Sequence, residues 1–447
     1  MSIRSIFQLI RKLDFGKIQK LASKIDLQQA MAALDKMDEK QLGRLLKVLG
    51  GEQQSRTLPP IEGDFYQLEK NLPDEDRAIQ LKLREFMDQE IAPIINKFWL
   101  HDEFPYDIIP KMAELNICGL TYKGYGCPGK SFVLEGFLAM EMARVDTSIS
   151  TFFGVQSGLA MGSIYLLGSE NQKNYWLPKM QKFEKIGAFG LTEPEVGSAA
   201  AGGLTTTVKR EGDSWVLNGQ KKWIGNATFA DVLVIYARDL DDQQVKGFIV
   251  EKDTPGFSVE KMKDKMALRV VQNGILTFEN CAIPIENKLE KANSFKDTAE
   301  VLRMTRAGVA WQAVGCARGA YEHSLQYAHD RKQFGKSISS YQLIQNNLVT
   351  MLSNLTAMQT MCYHLSILQD NNELKDEHAS LAKVFCSLRT RDVVSLAREV
   401  MGGNGILLEN NVARFVADAE AIYSYEGTKE INSLIVGRAI TGKSAFV

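Results

Sequence analysis

Three textures of hydrophobic patterning follow one another along the chain. From about Asp64 to Lys185, charged and apolar positions alternate at helical period, as where Asp74-Glu75-Asp76-Arg77 runs into Leu81, Leu83, Phe86 and Met87. This stretch predicts helices without strands, and Gly124-Tyr125-Gly126-Cys127-Pro128-Gly129 reads as a loop between two of them. The pattern changes at Gly187. Val216-Leu217 and Trp223-Ile224 flank Asn218-Gly219, a strong two-residue hairpin signal. Val232 to Tyr236 and Gly247 to Val250 are β-branched or aromatic runs, closed by Asp239 to Asp242 and by Asp253-Thr254-Pro255-Gly256. Short strands with tight turns predict a small antiparallel sheet or barrel that ends near Asn293.

Helical periodicity then returns. Leu348, Met351, Leu352, Leu355, Met358, Cys362 and Leu365 fall at steps of three and four, as do Leu381, Val384, Phe385 and Leu388. Long amphipathic helices of this kind build a bundle, and the methionine-rich stripe reads as core. At the other end, Ile3, Ile6, Phe7, Ile10 and Leu13, then Leu42, Leu45, Leu46 and Leu49, predict short amphipathic helices. Residues 1–50 carry ten basic and five acidic side chains, a net charge of +5. A basic amphipathic start suits a membrane surface, a transit peptide or a face docked on the body or a neighbour. The acidic residues and scarce serines speak against transit, so docking is the preferred reading. Leu58-Pro59-Pro60 reads as a stiff linker. The expected organisation is a helical extension (1–60), a helical domain (61–186), a β domain (187–294) and a helix-bundle domain (295–447): a mainly α fold with a central β domain.

Composition narrows the function. A net charge of −1 and a pI near 6.6 leave no electrostatic footprint for nucleic acid. The six cysteines include no C-x-x-C pair, so neither a metal site nor a disulfide framework is expected, and reduced core thiols point to a reducing compartment such as the cytoplasm. No eighteen-residue apolar run marks a spanning helix.

Candidate chemistry gathers in Tyr423-Ser424-Tyr425-Glu426-Gly427-Thr428-Lys429-Glu430. A carboxylate between an aromatic residue and a Gly-Thr pair can sit against apolar surface that raises its proton affinity, as a base requires. By itself, an acidic residue beside glycine is far more often an exposed helix cap than a catalyst. Other stretches add context. Phe189-Gly190-Leu191-Thr192-Glu193-Pro194 continues to Gly197-Ser198, and Asn218-Gly219-Gln220-Lys221-Lys222-Trp223-Ile224-Gly225 follows. Further on come Arg331 with Gln333-Phe334-Gly335, and Gly402-Gly403-Asn404-Gly405. In this order the motifs resemble the acyl-CoA dehydrogenase and acyl-CoA oxidase superfamily, especially its glutaryl-CoA dehydrogenase and plant-type short-chain oxidase branches.

The resemblance implies an N-terminal helical domain, a small antiparallel β barrel and a C-terminal four-helix bundle, assembled as a homotetramer, with FAD as cofactor and an acyl-CoA thioester as substrate. It casts Glu426 as the base that removes the α-proton while hydride leaves the β-carbon for flavin N5. Phe189, Leu191, Thr192, Gly197, Ser198, Trp223, Ile224 and Gly225 are then expected along the flavin, with Thr428 and Glu430 near it. Arg331, Gln333, Phe334, Gln342, Gly402 and Gly403 would reach the FAD of a neighbouring subunit. Ser198, Arg306, Tyr425 and Gly427 would meet the substrate. No GxGxxG follows a strand, so this FAD site is expected without a Rossmann unit.

Two departures from the family pattern bear on specificity. Ser150 stands where glutaryl-specific relatives carry arginine, so a distal carboxylate would lack its bidentate partner and an uncharged chain is expected. Gly225 replaces a threonine common in dehydrogenases, which leaves open an oxidase that passes electrons to O2 instead of to an electron-transferring flavoprotein. The end Lys443-Ser444-Ala445-Phe446-Val447 is not a peroxisomal signal, which favours the dehydrogenase.

Overall fold

The computed structural model describes residues 61–444, together with Asp38 and Gln41. The expected helices of the N-terminal extension therefore lie outside the described residues, and the chain divides into units 1–60 and 61–447.

The second unit opens with helices α1 (Asp74–Phe86), α2 (Ile95–His101), α3 (Ile108–Ala113), α4 (Phe132–Val145), α5 (Thr147–Phe153), α6 (Met161–Leu167) and α7 (Glu170–Gln181). Their starts follow local chemistry. The Ser131 hydroxyl accepts from the Leu134 N–H (3.2 Å) at α4, and Ser169 and Gln172 exchange the two hydrogen bonds of a capping box at α7. Between α5 and α6 the helix widens into a π-turned stretch, Gly154–Ala160. Such widening is rare and recurs at functional sites. The expected loop at 124–129 is a minimal hairpin, with Lys123–Gly124 paired antiparallel to Cys127–Pro128.

The β region contains β1 (Gly187–Gly190), β2 (Thr207–Glu211), β3 (Ser214–Ile224), β4 (Val232–Asp239), β5 (Val245–Glu251), β6 (Phe257–Lys261) and β7 (Gly274–Pro284), with a short helix α8 (Ala200–Gly203) after β1. The sheet runs β1-β4-β2-β3-β7-β6, with β5 on β4. It is mixed rather than wholly antiparallel, because β4 pairs parallel with β1 and with β2. Asn218-Gly219 is not a hairpin turn. It lies inside β3, where the register to β7 slips between Leu217 and Gly219 and Gly219 adopts φ 137°. The tight turn instead falls at Gly212-Asp213, between the paired ends Glu211 and Ser214. The buried strand β4 explains its own unbroken apolar run. Val232, Val234 and Tyr236 join the core shared with the helices, while Leu233, Ile235 and Ala237 face the core inside the sheet.

The C-terminal helices are α9 (Phe295–Asp330), α10 (Gln342–Asp370), α11 (Asp376–Met401), α12 (Val412–Ser424) and α13 (Lys429–Thr441). The predicted stripe of α10 is its core face, with Met351, Leu355, Met358 and Cys362 fully buried. That of α11 is not. Leu381 is exposed, and the buried face is Ala379, Ala382, Lys383, Cys386, Ser387, Thr390 and Val393. Small residues let α11 lie close to α9, where the Thr390 hydroxyl donates to the Ala313 carbonyl (2.8 Å). At the crossing of α9 with α4, Gly319 is equally confined, since a Cβ there would stand 2.1 Å from the Arg144 carbonyl. Among the described residues no helix is long and apolar enough to cross a membrane.

Candidate active site

A cavity of about 1400 Å³ opens where helices, sheet and bundle meet, walled by α4, the π-turned stretch, the ends of β1 and β3, the 264–273 loop, α9 and the 424–428 turn. Glu426 enters it from the link between α12 and α13. The link is strained: Glu426 has φ 49° and Gly427 φ 84°, and the left-handed region is unfavourable for a residue with a Cβ. The bundle holds it in place. The Asn432 side-chain amide donates to the carbonyls of Gly427 (2.8 Å) and Thr428 (3.0 Å), and the buried Lys383 ammonium donates to Gly427 and Tyr423 carbonyls. The Thr428 hydroxyl caps α13 by accepting from the Ile431 N–H.

The Glu426 carboxylate accepts from the Thr305 hydroxyl of α9 (3.0 Å). Burial raises its pKa above the ordinary carboxylate value, against the Thr305 hydrogen bond and the charges of Arg306 and Lys383. Lys383 is itself pushed down to about 8 by desolvation, with Glu426 opposing. Next to Glu426, the Tyr425 hydroxyl donates to Gln312 Oε1 (2.6 Å). Arg306 lines the cavity, donating through Nη1 to Ser380, and its buried Nε finds no partner among the described residues. Gly427→Ala is expected to destabilise the protein by about 1–2 kcal/mol, because alanine is unfavourable at positive φ and its Cβ would meet the Asn432 amide at 3.0 Å. A lowered thermal midpoint with slower turnover would show it.

The opposite wall belongs to the β region. Phe189, Leu191, Thr192, Gly197, Ser198, Trp223, Ile224 and Gly225 all line the cavity. A buried ion pair positions them. Lys221 Nζ sits 2.8 Å from Glu193 Oε1 and 3.0 Å from the Leu191 carbonyl, and the Lys222 N–H donates to the Thr192 carbonyl (2.8 Å). The other donors to Glu193 are the N–H groups of Thr205 and Thr206 and the Thr205 hydroxyl. Burial would raise the Glu193 pKa, but Lys221 and Thr205 outweigh it and hold it at about 2. Trp223 adopts φ 66° and leaves 56% of its surface open, a flat apolar face toward a ligand. A Cβ added at Gly225 would stand 3.1 Å from Val155, so a side chain there would fit only if Val155 gave way by a few tenths of an ångström.

The remaining predicted cofactor residues are elsewhere. Arg331 ends α9, Gln333 and Phe334 lie in the small hairpin that follows, Gln342 starts α10, and Gly402 and Gly403 begin a 3-10 turn after α11. None lines the cavity, all are exposed, and Phe334 shows 93% of its surface. They share one end of the bundle, where Asn404 donates to the Tyr327 hydroxyl (2.8 Å) of α9. Glu430 also points away from the cavity, accepting from Tyr423 (3.0 Å) on the surface. Thr305, Gln312, Lys383 and Asn432 were missed because hydroxyls, amides and a lysine inside helical patterns carry no motif. Only the placement of Lys383 on an otherwise small-residue face was a sequence-level cue.

The cavity fits a flavin. The hydroxyls of Thr192 and Ser198 make no hydrogen bond among the described residues, leaving donors free at the wall that carries the exposed Trp223 face. A desolvated carboxylate faces this wall across a cavity walled by helices, sheet and bundle. The family models for acyl-CoA dehydrogenases match residues 73–184 (N-terminal domain), 188–281 (middle domain) and 295–441 (C-terminal domain). The mouse mitochondrial short-chain specific acyl-CoA dehydrogenase is 32% identical over 370 residues, covering 82% of this chain and 90% of that protein. A glutaryl-CoA dehydrogenase of Mycobacterium smegmatis, solved in complex with FADH2, superimposes with a TM-score of 0.83 at 34% identity, covering 86% of this chain and 98% of that one. Butyryl-CoA dehydrogenase of Megasphaera elsdenii gives 0.80 at 30% identity, covering 83% and 99%. The chain belongs to the acyl-CoA dehydrogenase family, and is an FAD-binding oxidoreductase.

Proposed function

We propose that this protein desaturates an uncharged, short-to-medium acyl-CoA between its α and β carbons, giving the trans-2-enoyl thioester. The observation that carries this reading is Glu426: a desolvated carboxylate of raised proton affinity, held at positive φ in a cavity with an open flavin wall. Bound FAD supplies the acceptor for the β-hydride. The chain supplies the rest. Glu426 takes the α-proton, Thr305 orients the carboxylate, Tyr425 and Arg306 shape the substrate wall, and the Glu426 N–H is available to the thioester carbonyl. Thr192, Ser198 and Trp223 bound the flavin.

The uncharged chain is supported by Ser150, which lines the cavity and spends its hydroxyl on the Ala139 carbonyl (3.2 Å), and by Arg144, which is turned toward Glu141 and Asp88. An electron-transferring flavoprotein is the proposed acceptor, and the exposure to air described below decides between it and O2. A homotetramer would cover the end of the bundle where Arg331, Gln333, Phe334, Gln342, Gly402 and Gly403 stand exposed with Leu343 and Ile406, and bring these residues to a neighbour's cofactor. Six unpaired cysteines accord with a reducing compartment.

The test is to mix the yellow protein anaerobically with butyryl-CoA or hexanoyl-CoA and then admit air. Bleaching that persists in air until a flavoprotein or dye acceptor is added supports the proposal. Fast recovery with stoichiometric peroxide would make the protein an oxidase, and failure to bleach with any acyl-CoA would overturn the reading.

A further inference from the structure

Glu135 is a charged group in the cavity for which the desaturation chemistry has no use. It lies on the cavity side of α4, with Ala139 and Met142 one and two turns further along. Its carboxyl forms no hydrogen bond or ion pair with any described residue. The surroundings explain why. The Tyr122 hydroxyl, close by in the same wall, donates to the Ser157 carbonyl instead (2.8 Å). Lys130 at the start of α4 is committed to Glu75 and Asp76. Asp370, at the end of α10, accepts from the N–H groups of Phe132 (2.7 Å) and Val133 (3.3 Å) and so adds negative potential without offering a proton. Burial, with the charge of Asp370 second, pushes Glu135 up to about 7.

Ala139, Met142, Phe153, Leu159 and Met304 line the same cavity, with the hydroxyls of Ser150, Thr151 and Ser157 among them. A carboxyl left without a partner among such groups is unfavourable, and buried polar groups in native proteins are normally satisfied. Glu135 is half-buried, so cavity water can meet its carboxyl, and a bound chain that displaces this water must supply the partner in its place. We propose that Glu135 reads the distal end of the acyl chain, and that the site takes acyl thioesters whose far end carries an uncharged hydrogen-bond donor, a hydroxyl or an amide N–H. This rests on the acyl-CoA reading above and narrows its substrate class. A plain alkyl end would leave Glu135 unpaired, and a terminal carboxylate would set two acids together.

The test separates binding from turnover by using CoA thioethers, which lack the thioester carbonyl and cannot be desaturated. Affinities of S-(6-hydroxyhexyl)-CoA and S-hexyl-CoA are measured by calorimetry on the FAD-loaded protein, alongside flavin reduction by 6-hydroxyhexanoyl-CoA and hexanoyl-CoA. The hydroxylated thioether is expected to bind about tenfold more tightly, as one well-made hydrogen bond in a dry site allows. Glu135→Leu should abolish that preference and Glu135→Gln, which keeps a donor and an acceptor, should retain it. Equal affinities in the unaltered protein, or a preference that survives Glu135→Leu, would overturn the inference. The comparison in the unaltered protein decides even if a variant does not fold. If neither thioester reduces the flavin, the desaturation reading fails while the thioether affinities still judge Glu135.

Discussion

Glu426→Gln is expected to lower turnover by on the order of 10⁴-fold while leaving the yellow flavin spectrum in place, because it removes only the proton acceptor. The amide keeps the shape of the side chain and an oxygen for the Thr305 hydroxyl, so the strained 426–427 turn should survive. The pH dependence provides a second readout. The base must be ionised to act, so kcat/KM of the unaltered protein should climb as pH rises through the Glu426 pKa. Burial places that pKa above the ordinary carboxylate value, so the climb falls at higher pH than for an exposed glutamate. The residual activity of Glu426→Gln should lose this limb. A variant with full activity, or an unchanged pH limb, would show that another group takes the proton.

The second large effect concerns Lys221. Lys221→Met is expected to destabilise the protein by about 3–5 kcal/mol, since it strands the Glu193 carboxylate in a site where both partners are buried. The damage should reach the cofactor, because Lys221 also holds the Leu191 carbonyl beside Thr192. A fallen thermal midpoint together with loss of FAD on gel filtration is the expected result. The double variant Lys221→Met/Glu193→Gln should recover part of the stability, as the charge is removed and the Thr205 and Thr206 donors keep an acceptor. Acid offers a milder version of the same experiment. Glu193 has a folded-state pKa of about 2, below its unfolded value, so its contribution is present above the ordinary carboxylate range and is lost as pH falls toward 2. A Lys221→Met variant as stable as the original would mean that the ion pair does not hold the wall together.

Local physics made some elements legible from the chain alone. The α10 stripe was readable because large apolar residues at steps of three and four leave one face to bury, and β4 was readable because β-branched runs suit a sheet buried on both sides. The segments proposed to carry the base and to face the flavin could be singled out as motifs, since each is short and contiguous. Other features depended on what packs against them. Asn218-Gly219 satisfies every local rule for a hairpin, yet pairing with β7 absorbs it as a bulge, and Gly212-Asp213 makes the turn instead. The buried face of α11 is small and polar rather than greasy, because α9 approaches closely there.

The sequence by itself determined the order of helices, sheet and bundle, and it nominated the proposed base and the residues proposed to face the flavin. These rest on periodicity and on contiguous motifs, which survive without knowledge of distant contacts. Only the tertiary structure decided which other groups meet Glu426, that Lys383 and Asn432 secure its turn, and that Arg331, Phe334 and Gly402 stand on a separate surface. It also left Glu135 unpaired in the cavity. Burial, desolvation and the partner of a charge are set by residues far apart in the chain, so no local pattern specifies them.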